Sequence, residues 1–266
     1  MLPGFGLSFG FTVFYLSVIV LVPLAALFMR AFEPGLSGFW QAIGTPRVAA
    51  ALKLSFGMAA LAAVIDSLFG VIVAWVLVRY RFFGKRLLDA VIDLPFALPT
   101  AVAGIALSTL YAPNGWLGAP LADHGIRIAY TPWGVLVAMV FIGLPFSVRT
   151  LEPVLGEIGH DLEEAAATLG ATRLQTIRKV ILPLLAPAIL TGGAMSFARA
   201  VGEYGSIIFI AGNLPAVSEI APLLIVTKLE QYDYAGAAAI GAVMLIAAFA
   251  ILLILNGLQA WMGKRR

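Results

Sequence analysis

The chain has 266 residues, of which 61% are hydrophobic and only 12% are charged, and its mean hydropathy is +0.99. A soluble domain of this size needs far less apolar surface, so the composition excludes a soluble globular protein. The long apolar runs also exclude a transmembrane barrel, whose strands alternate between apolar and polar residues. We therefore predict an all-α polytopic membrane protein.

Charge and cysteine content narrow the class further. The net charge of +3 and the pI near 9.3 are explained by basic loops on one side of a membrane, and no nucleic-acid partner is predicted. Cysteine is absent, which excludes a disulfide framework and a cysteine-based metal site. Residues 1–29 contain no Lys or Arg, so the first apolar run is predicted to be a retained span and not a cleaved signal.

Six segments are apolar and long enough to cross a bilayer as helices. The first segment belongs to an N-terminal transmembrane helix with a periplasmic loop (1–48), and the other five form a transmembrane core (49–262). A basic tail (263–266) follows the core. The predicted spans are 9–30, 52–78, 88–111, 132–151, 186–210 and 235–261.

Lys and Arg predict the orientation, because the cytoplasmic loops of membrane proteins are enriched in them. On one side of the predicted spans lie Arg79, Arg81, Lys85, Arg86, Arg149, Arg173, Arg178, Lys179, Lys264, Arg265 and Arg266. On the other side lie Arg30, Arg47, Lys53, Arg127 and Lys228. The excess on the first side predicts that both termini and the segment 156–183 are cytoplasmic.

Proline and glycine occur inside the predicted spans, for example Pro95 and Pro99 in the third and Gly202 and Gly205 in the fifth. Glycine permits close helix approach, and proline frees a backbone carbonyl and bends the helix. These residues predict either packing and bending or kinked spans that line a moving pathway.

One long polar interruption, residues 156–183, separates the fourth and fifth predicted spans. Asp161 followed by Glu164 is close to a capping box and predicts a short helix, and Gly170 stands where a C-terminal cap is expected. Thr172 and Gln175 form a second capping box, which predicts another helix ending at Pro183. A helix of about two turns is marginal in water alone, so the first of these is expected to pack on another surface.

The same segment resembles the EAA loop of ABC-importer permeases. The resemblance rests on Glu164-Ala165-Ala166, on Gly170 and on Val180-x-Leu182-Pro183 at the family's spacing. It implies that the loop docks the permease onto a separate cytoplasmic ATPase. The alternative is an amphipathic hairpin that lies on the membrane. The residues assigned to docking are Glu163, Glu164, Ala165, Ala166, Gly170, Leu182 and Pro183.

Charged residues inside the predicted spans are the second group of candidates. Arg199 and Glu203 are four residues apart, so they share a helix face and can neutralise each other. They predict either a structural ion pair or part of a translocation pathway, because ionisable residues in membranes normally face a bundle interior or water. Asp66 and Asp93 are predicted to accept hydrogen bonds between helices, and Asp66 and Tyr204 are further pathway candidates.

The stretches 197–215 and 217–240 narrow the resemblance to sulfate/thiosulfate ABC-importer permeases of type I, and among them to the T-type subunit. The resemblance covers predicted spans 2–6, with the first span as an extra helix. It implies a second, W-type permease, two copies of the ATPase, and a periplasmic sulfate/thiosulfate-binding protein that docks on loops 112–131 and 211–234. ATP and Mg would be used by the ATPase, and no cofactor by this chain. The implied location is the bacterial inner membrane.

Three alternatives remain open at this point. A molybdate or tungstate permease would have the same architecture. A secondary transporter or channel would not need the docking loop, and many such proteins contain internal repeats, which are not evident here. A membrane-embedded enzyme would need a cluster of reactive groups. However, the chain has no G-x-x-x-x-G-K-[ST] motif, and its two histidines, His124 and His160, lie in predicted loops.

Overall fold

The computed structural model describes residues 5–263, with side chains through residue 260. Within that range every regular element is a helix. The long helices are α1 (Phe5–Ala31), α3 (Pro46–Arg79), α8 (Pro132–Glu157), α10 (Arg173–Val201) and α13 (Tyr234–Gly263). The shorter helices are α2 (Gly35–Ile43), α4 (Lys85–Ile92), α5 (Leu94–Ala97), α6 (Thr100–Tyr111), α7 (Gly118–Asp123), α9 (His160–Thr168), α11 (Ile207–Ile210) and α12 (Ala221–Glu230).

The five long helices are each long and apolar enough to cross a membrane, and they confirm five of the six predicted spans. Their ends differ from the prediction where polar residues extend a helix beyond the apolar run. Helix α3 begins at Pro46, because the Thr45 side chain accepts a hydrogen bond from the Val48 amide (3.3 Å) and proline suits the first helical position. The predicted boundary at residues 48/49 therefore falls in its first turn. Of the basic tail 263–266, only Gly263 lies within the described residues.

The third predicted span, 88–111, is wrong as a continuous helix. The chain forms α4, α5 and α6 in succession, with an extended residue at Leu98 between α5 and α6. Pro99 explains the second break, since proline forces the preceding residue, here Leu98, toward an extended conformation. At the first break Pro95 lacks the amide hydrogen that would continue the hydrogen bonds of α4. At twelve residues, α6 is about 18 Å long, so this crossing is discontinuous.

The fifth span also departs from the prediction. The helix that begins after Thr172 does not end at Pro183 but continues as α10 to Val201. A π turn at Ile177–Ile181 precedes Pro183. Proline normally clashes with the carbonyl four residues earlier, which here belongs to Lys179 inside the wider turn. The predicted end at residue 210 is wrong, since 202–206 form a turn before α11.

Helices α3, α8 and α10 form the core, where small residues allow the backbones to approach closely. A side chain at Gly143 would collide with Asp66 of α3 and Ser196 of α10. One at Gly192 would lie 3.0 Å from the Ser147 Cα atom. Helices α1 and α2 pack on the outside of this core against α13, around Ala31, Phe39 and Ala239.

Arg149 joins α8 to the broken third span. Its guanidinium donates hydrogen bonds to Asp93 (2.8 and 2.6 Å) and to Asp89 (2.7 Å), and it also pairs with Glu152. The prediction that Asp93 is an acceptor between helices is confirmed. This network fixes α4 against the end of α8 that leads into α9.

The interrupted third span and the turn at 202–206 lie beside each other. A Cβ atom at Gly104 of α6 would collide with the backbone of Ser206, and one at Gly205 would collide with the Thr100 side chain. We expect Gly104→Val to lower the free energy of unfolding by about 1–3 kcal/mol, the range of overpacking, because the new side chain would overlap the Ser206 backbone. Thermal unfolding in detergent measures this. Gly57→Val in α3, where nothing lies within 4 Å, is the matched control, and equal stability of the two variants would contradict the prediction.

Candidate functional site

The predicted docking loop forms helix α9 with a tight turn at its C-terminal end. Gly170 adopts φ +80°, a conformation that L-residues with side chains rarely take. The Gly170 amide donates to the Ala167 carbonyl (2.9 Å), and the Ala171 amide donates to the Ala166 carbonyl (3.0 Å). Gly170 therefore closes the helix, as the sequence predicted.

The two predicted capping boxes have different outcomes. The one at Thr172 is confirmed, since its amide donates to the Gln175 side chain (2.8 Å) and its hydroxyl accepts from the Gln175 amide (3.4 Å). The one at Asp161 is wrong, because the helix begins earlier, with Gly159 at the N-cap and no side-chain cap. Asp161 and Glu163 instead lie in the first turn, where a carboxylate suits the helix dipole.

Helix α9 has one face against its own chain and one face open. Ala166 is buried, with 9% of its surface exposed, so it packs on the chain itself. On the open face Leu169 is 88% exposed and Leu162 is 44% exposed, and Ala165 is also exposed. Glu164 is exposed too, but it faces the side of α9 toward the core. Large apolar side chains that remain exposed on a polar loop are typical of an interaction surface. Leu182 and Pro183, at the start of the α-helical part of α10, are exposed as well.

Arg79, at the end of α3, fastens α9 to the membrane-spanning core. Its Nη2 donates to the Ile158 carbonyl (2.9 Å) and lies 2.9 Å from a Glu163 oxygen. Its Nη1 is 3.4 Å from the His160 ring, and its guanidinium lies over Trp75 at 5.5 Å from the ring centroid. Only 9% of the side chain is exposed, and we call this set of contacts the Arg79 clamp. Sequence reasoning missed it, because Arg79 contributed only to the orientation.

A cleft of about 520 Å³ lies beside the clamp, between α9 and the adjoining ends of α3 and α10. Its lining includes Trp75, Arg79, Glu164 and Arg173. The contact between α9 and the core is thus local and polar, and the clamp is its principal fixed point.

The second group of candidates lies where α10 ends. Arg199 Nη1 is 2.6 Å from Glu203 Oε2, which confirms the predicted contact. The other Glu203 oxygen accepts from the Ser206 amide (2.9 Å) and hydroxyl (3.0 Å). Glu203 is 3% exposed and Arg199 is 32% exposed. Glu203 therefore anchors the turn after α10 and leaves the guanidinium partly open. Tyr204 is half-buried against the core.

Asp66 lies apart from the Arg199–Glu203 pair. It is fully buried between α3, α8 and α10, and it accepts a hydrogen bond from Ser196 of α10. Its prediction as an acceptor between helices is confirmed. The other carboxyl oxygen and the buried Ser147 hydroxyl have no hydrogen-bond partner among the described residues.

On the opposite side from α9, two further ion pairs hold the segment between α11 and α13. Arg47, at the start of α3, donates two hydrogen bonds of 2.7 Å to Glu219, which is 3% exposed. Asp233 accepts from Lys228 (2.8 Å) and from the Gly236 amide (2.9 Å) at the start of α13. The hydrogen bond from Lys228, together with that amide, holds the Asp233 pKa below its usual value. Sequence reasoning missed both pairs.

Glu203→Ala, which removes the whole carboxylate, is expected to destabilise the protein much more than Glu203→Gln, which removes only the charge. Glu203→Ala leaves Ser206 and Arg199 without their partner, which is expected to lower the free energy of unfolding by about 2–4 kcal/mol. Glu203→Gln keeps an acceptor for Ser206 and is expected to cost less than half as much. Thermal unfolding of both variants tests this, and equal losses would mean that charge alone matters.

Comparison with known proteins identifies the family. The family described as "Binding-protein-dependent transport system inner membrane component" matches residues 66–266. The chain belongs to this permease family. Permease subunits of this kind are not themselves catalytic, so the family argues against a membrane-embedded enzyme.

Relatives of this permease are similar over almost their whole length. The sulfate transport system permease protein CysT of Salmonella typhimurium is 47% identical, over 100% of this chain and 96% of the relative. The protein of the same name from Synechococcus elongatus is 51% identical, over 97% of this chain and 92% of the relative. The resemblance found from residues 197–240 is thereby confirmed.

Solved structures show the same fold. One is a bacterial alginate ABC transporter in complex with an alginate pentasaccharide-bound periplasmic protein, with a TM-score of 0.75 at 19% identity, over 92% of this chain and 90% of that chain. Another is the inward-facing MetNI methionine ABC transporter, with a TM-score of 0.62 at 17% identity, over 80% of this chain and 94% of that chain. The permease therefore has the helical fold of ABC importers.

Proposed function

We propose that this chain is the T-type permease subunit of an ATP-driven importer for sulfate and thiosulfate. The observation that carries the substrate is the identity of about half the residues with proteins named sulfate transport permeases. The family supports the transport role, and the fold of ABC importers supports the coupling to ATP. The chain forms part of the pathway and transmits motion to it.

Helix α9 is the docking element for the ATPase. Its open face, Leu162, Ala165 and Leu169, supplies apolar contact, and Glu164 supplies a negative charge at the mouth of the neighbouring cleft. Gly170 closes the helix, and Leu182 and Pro183 lie at the base of the loop. Glu163 and Ala166 act indirectly, because they hold α9 on the core and leave the other face free.

The Arg79 clamp transmits the motion of α9 into the membrane. Helix α3 is continuous over 34 residues, which corresponds to about 50 Å, and it ends in an arginine contact on each side. When the ATPase moves α9, Arg79 pulls one end of α3. At the other end Arg47 holds Glu219 in the 211–234 loop, which we assign to the binding protein.

The pathway lies beside the two helix breaks. Arg199 supplies positive potential for a dianion, and Glu203 orients Arg199 so that the pair remains nearly neutral when the pathway is empty. Tyr204 lies next to them, and Asp66 joins the helices that move. Irregular backbone at this depth is tolerated where it lines a cavity or is buried in protein.

The assembly contains a second, W-type permease, two copies of the cytoplasmic ATPase and a periplasmic binding protein that delivers the anion. ATP and Mg are bound by the ATPase, and this chain binds no cofactor. The excess of Lys and Arg on the α9 side supports cytoplasmic termini in the bacterial inner membrane. The chain divides into an N-terminal helix and loop (1–48), a core (49–262) and a tail (263–266).

Arg199→Gln tests the pathway. We expect normal expression and normal binding of the ATPase, but sulfate uptake about tenfold lower, because the positive potential in the pathway is lost. Lys53→Gln, at an exposed position near the start of α3, is the control. Full uptake by the Arg199 variant would restrict the Arg199–Glu203 pair to a structural role.

The substrate is tested with the purified complex in liposomes. ATP hydrolysis is measured after addition of binding protein loaded with sulfate, thiosulfate or molybdate. We expect stimulation by sulfate and thiosulfate and none by molybdate. Stimulation by molybdate alone would keep the architecture and overturn the substrate, and failure of any ATPase to bind the chain would overturn the docking role of α9.

A further inference from the structure

Residues 80–92, between α3 and the broken third span, expose both apolar and basic side chains. Phe83 is fully exposed, and Leu87 and Val91 are 70% and 53% exposed. Tyr80 and Phe82 are also more than one-third exposed. We call this segment the basic foot. So many exposed large side chains in one short segment are costly in water and indicate an apolar partner.

The helical part of the basic foot, α4, has two distinct faces. Ile92, 7% exposed, packs on the protein, and Asp89 on the same side pairs with Arg149 at 2.7 Å. Leu87 and Val91 lie four residues apart and therefore one above the other on the opposite side. Because Asp89 and Asp93 fix the helix to α8, the apolar face is held outward.

Apart from Asp89, which pairs with Arg149, every charged residue of the basic foot is positive. Arg81, Lys85 and Arg86 lie between Arg79 and Asp89 with no carboxylate among them. None of the three forms an ion pair with a residue in the part of the chain whose side chains are described. Aromatic and aliphatic side chains interleaved with cations are typical of segments that lie in the plane of a membrane surface.

The position of the basic foot identifies the surface. It directly follows α3 where that helix ends, one turn beyond Trp75, and it precedes α6, which continues the third crossing. It lies on the same side as α9, since Arg79 contacts both Ile158 and Glu163. A segment between two crossings that turns its apolar face away from the protein lies at the level of the lipid headgroups.

We propose that the basic foot lies in the headgroup layer on the α9 side and binds anionic phospholipid. Leu87, Val91 and Phe83 enter the acyl boundary, while Arg81, Lys85 and Arg86 contact lipid phosphates. The foot thereby fixes the level of the neighbouring Arg79 clamp relative to the membrane. The inference depends on the chain's crossing a membrane and not on the ATPase or the transported anion.

The absence of cysteine from the chain makes a direct test possible. Nitroxide labels are placed on the full chain through Phe83→Cys or Leu87→Cys, and through Arg178→Cys as an exposed control on the same side. The chain is reconstituted in vesicles of phosphatidylcholine, with or without phosphatidylglycerol. Collision rates with oxygen and with a water-soluble nickel chelate then report depth in the membrane.

We expect the labels at 83 and 87 to collide mainly with oxygen in vesicles containing phosphatidylglycerol, and the label at 178 to collide mainly with nickel. The triple variant Arg81→Gln, Lys85→Gln, Arg86→Gln is expected to weaken association with spin-labelled phosphatidylglycerol by about fivefold per cation. Arg127→Gln on the opposite side is the control for charge and is expected to change nothing.

Three results would overturn the proposal. Nickel collisions at 83 and 87 in both kinds of vesicle would place the segment in water. Protection of both labels from both reagents would mean that a second copy of this chain, and not lipid, covers this face. If the triple variant leaves the phosphatidylglycerol preference unchanged, the anionic headgroup is not the ligand. Each result is obtained without ATP hydrolysis, so it is distinguishable from failure of the transport function.

Discussion

Gly170→Val is expected to uncouple the permease from its ATPase. Gly170 has φ +80°, and placing a residue with a side chain in that region costs about 1–2 kcal/mol, more when the residue is β-branched. Nothing lies within 4 Å of the position where the Cβ atom would stand. The cost is therefore backbone strain and not a collision, and it falls on the turn that closes α9.

The expected result is a fall of about tenfold or more in ATPase binding to the permease, because about 1.4 kcal/mol corresponds to a factor of ten. Binding of the ATPase to the permease in nanodiscs measures it. Gly156→Val is the matched control, since Gly156 also has open space around it and no positive φ. Wild-type affinity of the Gly170 variant would show that α9 docks without its terminal turn.

Arg79→Ala is expected to abolish most of the transport while ATPase binding persists. The change removes the hydrogen bond to Ile158, the ion pair with Glu163 and the contact with Trp75. The open face of α9 remains, so the ATPase still docks. Its motion, however, no longer reaches α3. We expect sulfate uptake to fall about tenfold or more while ATP hydrolysis without binding protein changes little.

A double-mutant cycle separates the clamp from a general loss of structure. Arg79→Ala and Glu163→Ala are measured singly and together by the stimulation of ATP hydrolysis with loaded binding protein. Residues in contact give non-additive effects, so the double variant is expected to be no worse than Arg79→Ala alone. Additive losses would mean that the two residues act separately. Unchanged uptake in Arg79→Ala would remove the clamp from the coupling route.

Prolines in the chain show where sequence reasoning reaches its limit. Pro183 was expected to end a helix, but the π turn before it lets α10 continue. Pro99 lies within an apolar run long enough for one span, but α5 ends before it at Ala97 and α6 begins after it at Thr100. The local effect of each proline is the same, namely a missing donor and a steric conflict. Whether the helix continues past the proline or ends there depends on how the neighbouring helices pack against it.

The segment 156–183 shows the same limit. Gly170 and the Thr172–Gln175 capping box were predictable because each acts within its own few residues. The Asp161 box was wrong because Gly159 begins the helix earlier. The division of α9 into a held face and an open face was not predictable, since it depends on Arg79, whose partner Ile158 lies 79 positions away.

The amino-acid sequence by itself determined that the chain is helical and crosses a membrane, because an apolar run in lipid can satisfy its backbone groups only internally. It also determined the Gly170 turn, the Thr172–Gln175 capping box and the family, through motifs of nearby residues. Only the tertiary structure decided where the third and fifth crossings break and which charges distant in the sequence meet. Arg47 donates to Glu219, which lies 172 positions later in the sequence, and Glu203 accepts hydrogen bonds in a turn beside α6. Such contacts depend on the packing of distant segments, for which no local pattern of residues exists.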